Sequence, residues 1–306
     1  RAMAMIGLSI GLTFSVSLVV APMIADVVGV RGLFLLTGIL TVASIGVVAF
    51  MTPDPEVSKL HEDTQAQPAR RGEVLKNRQL LNLDFGIFAL HAAQMALFTA
   101  LPFAMTQLGL EKIQHWKVYL PSTVAGLVVM VPLIIIGETR NRLKQVFILG
   151  IVCIAAAQIG LLSDMHSIWL ITVYLIVYFI GFNVLEASLP SMVSKIAPSD
   201  LKGTAMGVYN TMQSVGLFAG GAAGGLLFQK YGFVGVFAFC STLMLLWLVL
   251  AVLSPAPKPV KNLSYPVGSV WQGNQEGLYH ALSGLEGVED ISFSFDRQTV
   301  YIKVLQ

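Results

Sequence analysis

An all-α polytopic membrane protein, with a small α+β module after its last apolar span, is the fold this sequence predicts. Three observations carry that expectation. Charged residues make up 12% of the chain, about half the ~25% of a soluble domain; 55% are hydrophobic and the mean hydropathy is +0.74. Eight apolar stretches are long enough to cross a bilayer as helices: 3–25, 32–51, 83–108, 118–137, 146–162, 168–192, 204–228 and 233–253. Last, the opening pair of stretches is echoed by the closing pair.

The echo is clearest in the seventh span. Gly216, Gly220 and Gly224 recur at every fourth residue, shadowed by Gly221 and Gly225. That spacing strips one helix face to backbone, so that a neighbouring helix can approach closely. A soluble helix would pay about 1 kcal/mol for each glycine. Shifted by 203 residues, Ala2-Met3 falls on Ala205-Met206, Ser17 on Gly220 and Ala21 on Gly224, while Gly29, Gly32 and Phe34 fall on Gly232, Gly235 and Phe237. The repeat unit is thus six spans. Two units make twelve, so four further spans are expected upstream of Arg1, and the fragment alone is not expected to transport.

Taken in order, residues 1–52 read as the last two helices of a first bundle. Residues 53–81 form a polar linker with Pro53, Pro55 and Pro68, whose 72–81 part suits a surface helix. Residues 82–254 supply a six-helix bundle and 255–261 a Pro-rich connector. Residues 262–306 are soluble in character: a strand at 263–270, an amphipathic helix at 275–285, and strands at 288–295 and 299–305 turning at Asp296-Arg297-Gln298. That β-α-β-β order is part of a ferredoxin-like unit. Loop charge orients the spans: thirteen Lys and Arg lie on the side holding Arg1, the 53–81 linker and Lys258, against four on the other. The first side is cytoplasmic by the positive-inside rule.

Two ionisable side chains sit well inside spans, Glu186 in the sixth and His91 in the third. Charge there is costly, so such groups face the bundle interior or a wet cavity. Both lie roughly 6–8 Å to the cytoplasmic side of the midplane at the rise of a helix. Carboxyl and imidazole are groups that can exchange protons near neutrality, so the pair is a candidate for proton coupling. The plain alternative is that Glu186 caps backbone and His91 packs. Asn183, Gln94, Asn210 and Gln213 are candidate cavity-lining residues, although such side chains more often bond helix to helix.

Other chemistry is excluded or weak. Gly7-Leu8-Ser9-Ile10-Gly11 matches a nucleophile elbow but lies inside a span rather than between a strand and a helix. His61-Glu62 lacks the second histidine of a zinc protease motif. Cys153 and Cys240 lie in spans, which predicts neither a disulfide nor a metal site. No phosphate-binding loop occurs. No enzyme activity, cofactor or metal is expected, and the basic residues sit between spans rather than in a nucleic-acid patch.

Several strings resemble the YajR-type transporters of the major facilitator superfamily: the stretch from Asn183 to Pro190, Lys202-Gly203-Thr204-Ala205-Met206-Gly207-Val208-Tyr209, His115-Trp116-Lys117-Val118-Tyr119-Leu120 and Lys144-Gln145-Val146-Phe147. The resemblance implies a major facilitator fold with eight of twelve helices present, alternating access and proton-coupled export of drug-like solutes. It makes the third and sixth spans helices seven and ten, which line the cavity. Ala21-Pro22 resembles the antiporter motif, with Ser17 and Ala25 standing where glycines are usual and Asp26 departing from the final glycine. Glu138, Arg140 and Arg142 look like a degenerate second copy of the acidic-basic loop motif. The implied partners are membrane lipid, a small-molecule substrate and the proton. From another class, a non-transporting membrane sensor, with the soluble module as its output domain, is the alternative.

Overall fold

The computed structural model describes residues 2–53, 67, 70–198, 200–255, 260–271, 273–293 and 299–305; for 2–12, 14, 15, 19, 260–262, 264 and 269 only the backbone is described. Six helices among these are long and apolar enough to cross a membrane. They are α1 (Ala2–Met51), α3 (Arg78–Gln107), α4 (Trp116–Thr139), α5 (Leu143–Ser163), α6 (Ile168–Ile196) and α7 (Lys202–Leu253), with the short α2 (Arg71–Lys76) between α1 and α3.

Six helices become eight spans because α1 and α7 each break at one glycine, Gly29 (φ 71°, ψ 172°) and Gly232 (φ 62°, ψ −149°). These are the residues that coincide when the chain is shifted by one repeat. Both occupy a region open in practice only to glycine, so the joint is repeated as well as the spans it connects. In α7 the break makes a hairpin whose two limbs line α3. Gly216, Gly220 and Gly224 meet Phe88, Ala92 and Ala96 in ascending order. Beyond Gly232 the order reverses, with Cys240 Sγ 3.6 Å from the Ala93 carbonyl and Trp247 against Gly86.

Around that pair α4 packs on α6, and α5 lies between α6 and α7. One core cluster runs from Val74 to Ala251. Gly150 and Gly181 pass each other on α5 and α6, where an added Cβ on Gly181 would stand 2.5 Å from the Gly150 carbonyl oxygen. The first limb of α1 touches α4 and α6, whereas its second limb is exposed along nearly its whole length.

Polar residues set the ends. The Asn77 side chain accepts from the Gln79 and Leu80 amides at the start of α3, and Ser167 accepts from the Trp169 amide at the start of α6. Asn77 is extended (ψ 106°). The expected surface helix over 72–81 is therefore two pieces, the six-residue α2 and the first turn of α3. The third span likewise begins at Arg78 rather than 83, because the Asn77 cap lies outside the bilayer-length apolar run that marked the boundary.

The C-terminal module has β1 (Val260–Pro266), α8 (Gln275–Ser283), β2 (Val288–Phe293) and β3 (Thr299–Leu305). They form an antiparallel sheet in the order β1-β3-β2, as expected of a partial ferredoxin-like unit. The first strand starts at Val260, inside the stretch read as connector, and ends at Pro266 rather than 270. Val267 turns into the core, and a 3-10 turn at Ser269–Trp271 follows. The turn at 296–298 lies outside the described residues.

Alternation along β3 gives the sheet two buried faces. Val300, Ile302 and Val304 pack with Leu278 of α8. Tyr301 and Lys303 are also buried, and Lys303 points to the bundle, donating to the Lys195 carbonyl at 3.2 Å and to the Ala197 carbonyl. These carbonyls close α6, where helix ends leave acceptors unsatisfied and favour a cation. Burial pushes the Lys303 ammonium below the usual lysine range.

Candidate transport site

The site begins with the contact between α3 and α7. Because Gly216, Gly220 and Gly224 lack side chains, the first limb of α7 rests on the α3 backbone: a Cβ on Gly220 would lie 2.2 Å from the Ala92 oxygen. This closeness lets Gln213, one turn before Gly216, reach across to His91. The Gln213 amide nitrogen lies 2.8 Å from His91 Nε2. On its other side His91 Nδ1 is 3.1 Å from the Ile87 carbonyl. A carbonyl only accepts, so Nδ1 carries the proton and Nε2 accepts from Gln213. His91 is a neutral imidazole in this arrangement.

Glu186 approaches the same nitrogen from α6, with its Oε2 3.7 Å from His91 Nε2. The gap is too long for a hydrogen bond, and Glu186 Oε2 is buried without a partner. The two groups read from sequence as sharing a depth are thus neighbours, in contact range but not bonded. Phe182, one turn earlier on α6, sets its ring edge-on to His91 at 6.0 Å and stacks on Tyr178. The arrangement can take up a proton in either of two ways. A proton on Nε2 would turn this donor toward Glu186 and force the Gln213 amide to present its oxygen. A proton on Glu186 would give the carboxyl a hydrogen to donate to Nε2.

The remaining candidates divide. Asn183 is buried, its Nδ2 without a partner and close to where a Cβ on Gly126 of α4 would stand. Gln94 is buried on α3. Asn210 is exposed and does not join the cluster. On α1, Ser17 is exposed, its hydroxyl donating to the Thr13 carbonyl at 2.8 Å. Ala21 and Pro22 are half-buried, and α1 meets α4 and α6. In the loop motif, Glu138 pairs with Lys195 of α6 at 2.9 Å. Arg140 and Arg142 are exposed, flanking Asn141 at φ 52° where the chain turns from α4 into α5. Both cysteines are free.

Sequence reasoning missed Asp84. It stands next to the expected span boundary at 83, where a carboxylate reads as a group wetted by the interface. Yet it is 4% exposed, with Oδ2 lacking a partner. Its spacing of seven from His91, two helical turns on one face, was the available signal.

Comparisons with known proteins agree with this architecture. The family model described as Major Facilitator Superfamily matches residues 1–221 and again 142–285. The chain is 33% identical over 304 residues to the inner membrane transport protein YajR of Escherichia coli (strain K12), covering 99% of this chain and 67% of that protein. It is 27% identical over 221 residues to an uncharacterized transporter of Buchnera aphidicola subsp. Acyrthosiphon pisum (72% of this chain, 57% of that protein). A second such transporter, from Buchnera aphidicola subsp. Baizongia pistaciae, is 25% identical over 262 residues (83% and 65%). The chain therefore spans between 57% and 67% of the length of these relatives. On the helical fold, the repeated glycine joints and these matches, the chain belongs to the Major Facilitator Superfamily.

Proposed function

We propose that this chain belongs to a proton-coupled secondary transporter of the inner membrane, exporting small drug-like solutes by alternating access, with Glu186 and His91 as its proton-responsive pair. Residues 1–52 then close a first bundle, 82–254 form the second, and 53–81 join them on the cytoplasmic side. One observation carries the reading. An acid and an imidazole from different helices sit 3.7 Å apart in the bundle interior, with the carboxylate oxygen unpartnered. A buried carboxylate in that position costs stability unless protonated or paired. A group kept at such a cost suits a site that gains and loses a proton as the bundles rock about the midplane.

Glu186→Gln, nearly isosteric and unable to ionise, tests it. The full-length protein in proteoliposomes should lose pH-gradient-driven flux while remaining folded. Undiminished coupling would sink the assignment. The docking of the module on α6 through Lys303 also suits the second reading, a membrane sensor with that module as output. Saturable, gradient-dependent flux separates the two, since a sensor would show none.

A further inference from the structure

We propose that Gln213 is the positioning residue that keeps the coupling proton on Glu186, by filling the one lone pair through which His91 could receive it; the role rests on the transporter reading above. His91 Nδ1 donates to the Ile87 carbonyl at 3.1 Å, and Nε2 accepts from the Gln213 amide at 2.8 Å. A neutral imidazole has a single acceptor nitrogen, so it has nothing left for a third partner. That accounts for the 3.7 Å between Nε2 and Glu186 Oε2. The carboxyl need advance only about 1 Å to reach hydrogen-bond range, but the lone pair it would meet is taken.

With His91 neutral, and with no lysine or arginine in salt-bridge range of Glu186 among the described residues, the buried carboxyl keeps its proton rather than stand as an unpaired charge. The other titratable groups around the pair are turned elsewhere or further off. Tyr178 of α6 stacks on Phe182, and Cys240 of α7 points at the Ala93 carbonyl. Asp84 lies two turns away along α3, and Tyr209 one turn before Gln213 on α7.

The Gln213 backbone cannot carry the amide away. Gly216, three residues on, lies so close to α3 that an added Cβ would stand 2.5 Å from the Phe88 oxygen. The side chain can move. Gln213 is half-buried and its neighbours Asn210 and Ser214 are exposed, whereas His91 is 5% exposed. Rotation of the amide toward that exposed face frees Nε2. The Glu186 acid then gives its proton to Nε2, leaving a carboxylate beside an imidazolium, and the two close into a charge-assisted pair between α3 and α6. Return of the amide reverses the transfer.

The test is infrared spectroscopy of the full-length protein in vesicles, with the Glu186 carboxyl band identified by its loss in Glu186→Gln. Gln213→Met keeps the length of the side chain and removes its N–H. In that variant the band should shift to lower frequency as the acid bonds Nε2, or vanish as the proton passes over. Gln213→Glu sets an acceptor against Nε2, and nitrogen-15 NMR, with His91 assigned by its loss in His91→Asn, should show both ring nitrogens protonated. A packing role for Gln213 would leave both signals as in wild type. An unchanged Glu186 band in Gln213→Met would overturn the proposal while leaving Glu186 as the coupling group. Should that variant not fold, a still neutral His91 in Gln213→Glu overturns it instead, and failure of both to fold would mark Gln213 as structural. A wild-type Glu186 that never changes its protonation would overturn this proposal and the transporter reading's proton pair together.

Discussion

Adding a single methyl group at Gly220 should pull α3 and α7 apart, and the same change one residue later should not. In Gly220→Ala the new Cβ would lie 2.2 Å from the Ala92 oxygen and 2.5 Å from its Cα. Both are backbone atoms, so no side chain can rotate away. Ordinary contact begins at 3.4 Å, and the helices must separate by about 1.2 Å to reach it. Overpacking of this kind costs about 1–3 kcal/mol, against a helix-propensity gain of up to ~1 kcal/mol for replacing glycine. Gly221 has nothing within 4 Å of its added Cβ, so Gly221→Ala keeps only the gain. Denaturant unfolding in detergent micelles, followed by circular dichroism, should show Gly220→Ala less stable than wild type and Gly221→Ala equal or more stable. Equal effects at the two positions would refute the close-packing argument. Gly220→Leu extends the same clash and should block assembly or gating before it alters substrate choice.

Three further outcomes follow from features away from the seam. Gly232→Ala and Gly29→Ala meet no neighbour, yet each should destabilise by about 1–3 kcal/mol because the backbone region is closed to side chains; wild-type unfolding midpoints in both would refute this. Lys303→Met should release the C-terminal module from α6 without unfolding it, since Lys303 faces away from the α8 core; unchanged protease sensitivity of the connector would count against the docking. Because burial lowers the Lys303 proton affinity, the undocked form binds more protons just below the usual lysine range, and docking should strengthen as pH rises through that window.

Much of the membrane part was legible in the sequence because a bilayer imposes length and apolarity on each span, and because glycine spacing survives in the primary structure. The repeat located both joints, Gly29 and Gly232, before any backbone angle was known. The depth argument brought Glu186 and His91 to one level, but only the structure shows Gln213 between α7 and His91. Helical phase decided the misses. Asn210 and Gln213 are three residues apart on α7, yet one is exposed and the other bonds to His91, since the direction of a partner helix is not written in one helix's own pattern. Asp84 was hidden by its place at an apparent boundary. Lys303 was hidden because a lysine in a strand normally marks the wet face, and here that face is covered by the end of α6.

The α3–α7 seam has one more effect. Over three successive turns backbone lies against backbone, leaving no width for an acyl chain or for a file of water molecules. The two helices act there as a sealed wall. Neither an ion nor a line of waters can pass between them over that length, so the barrier of the bilayer continues unbroken through this part of the protein.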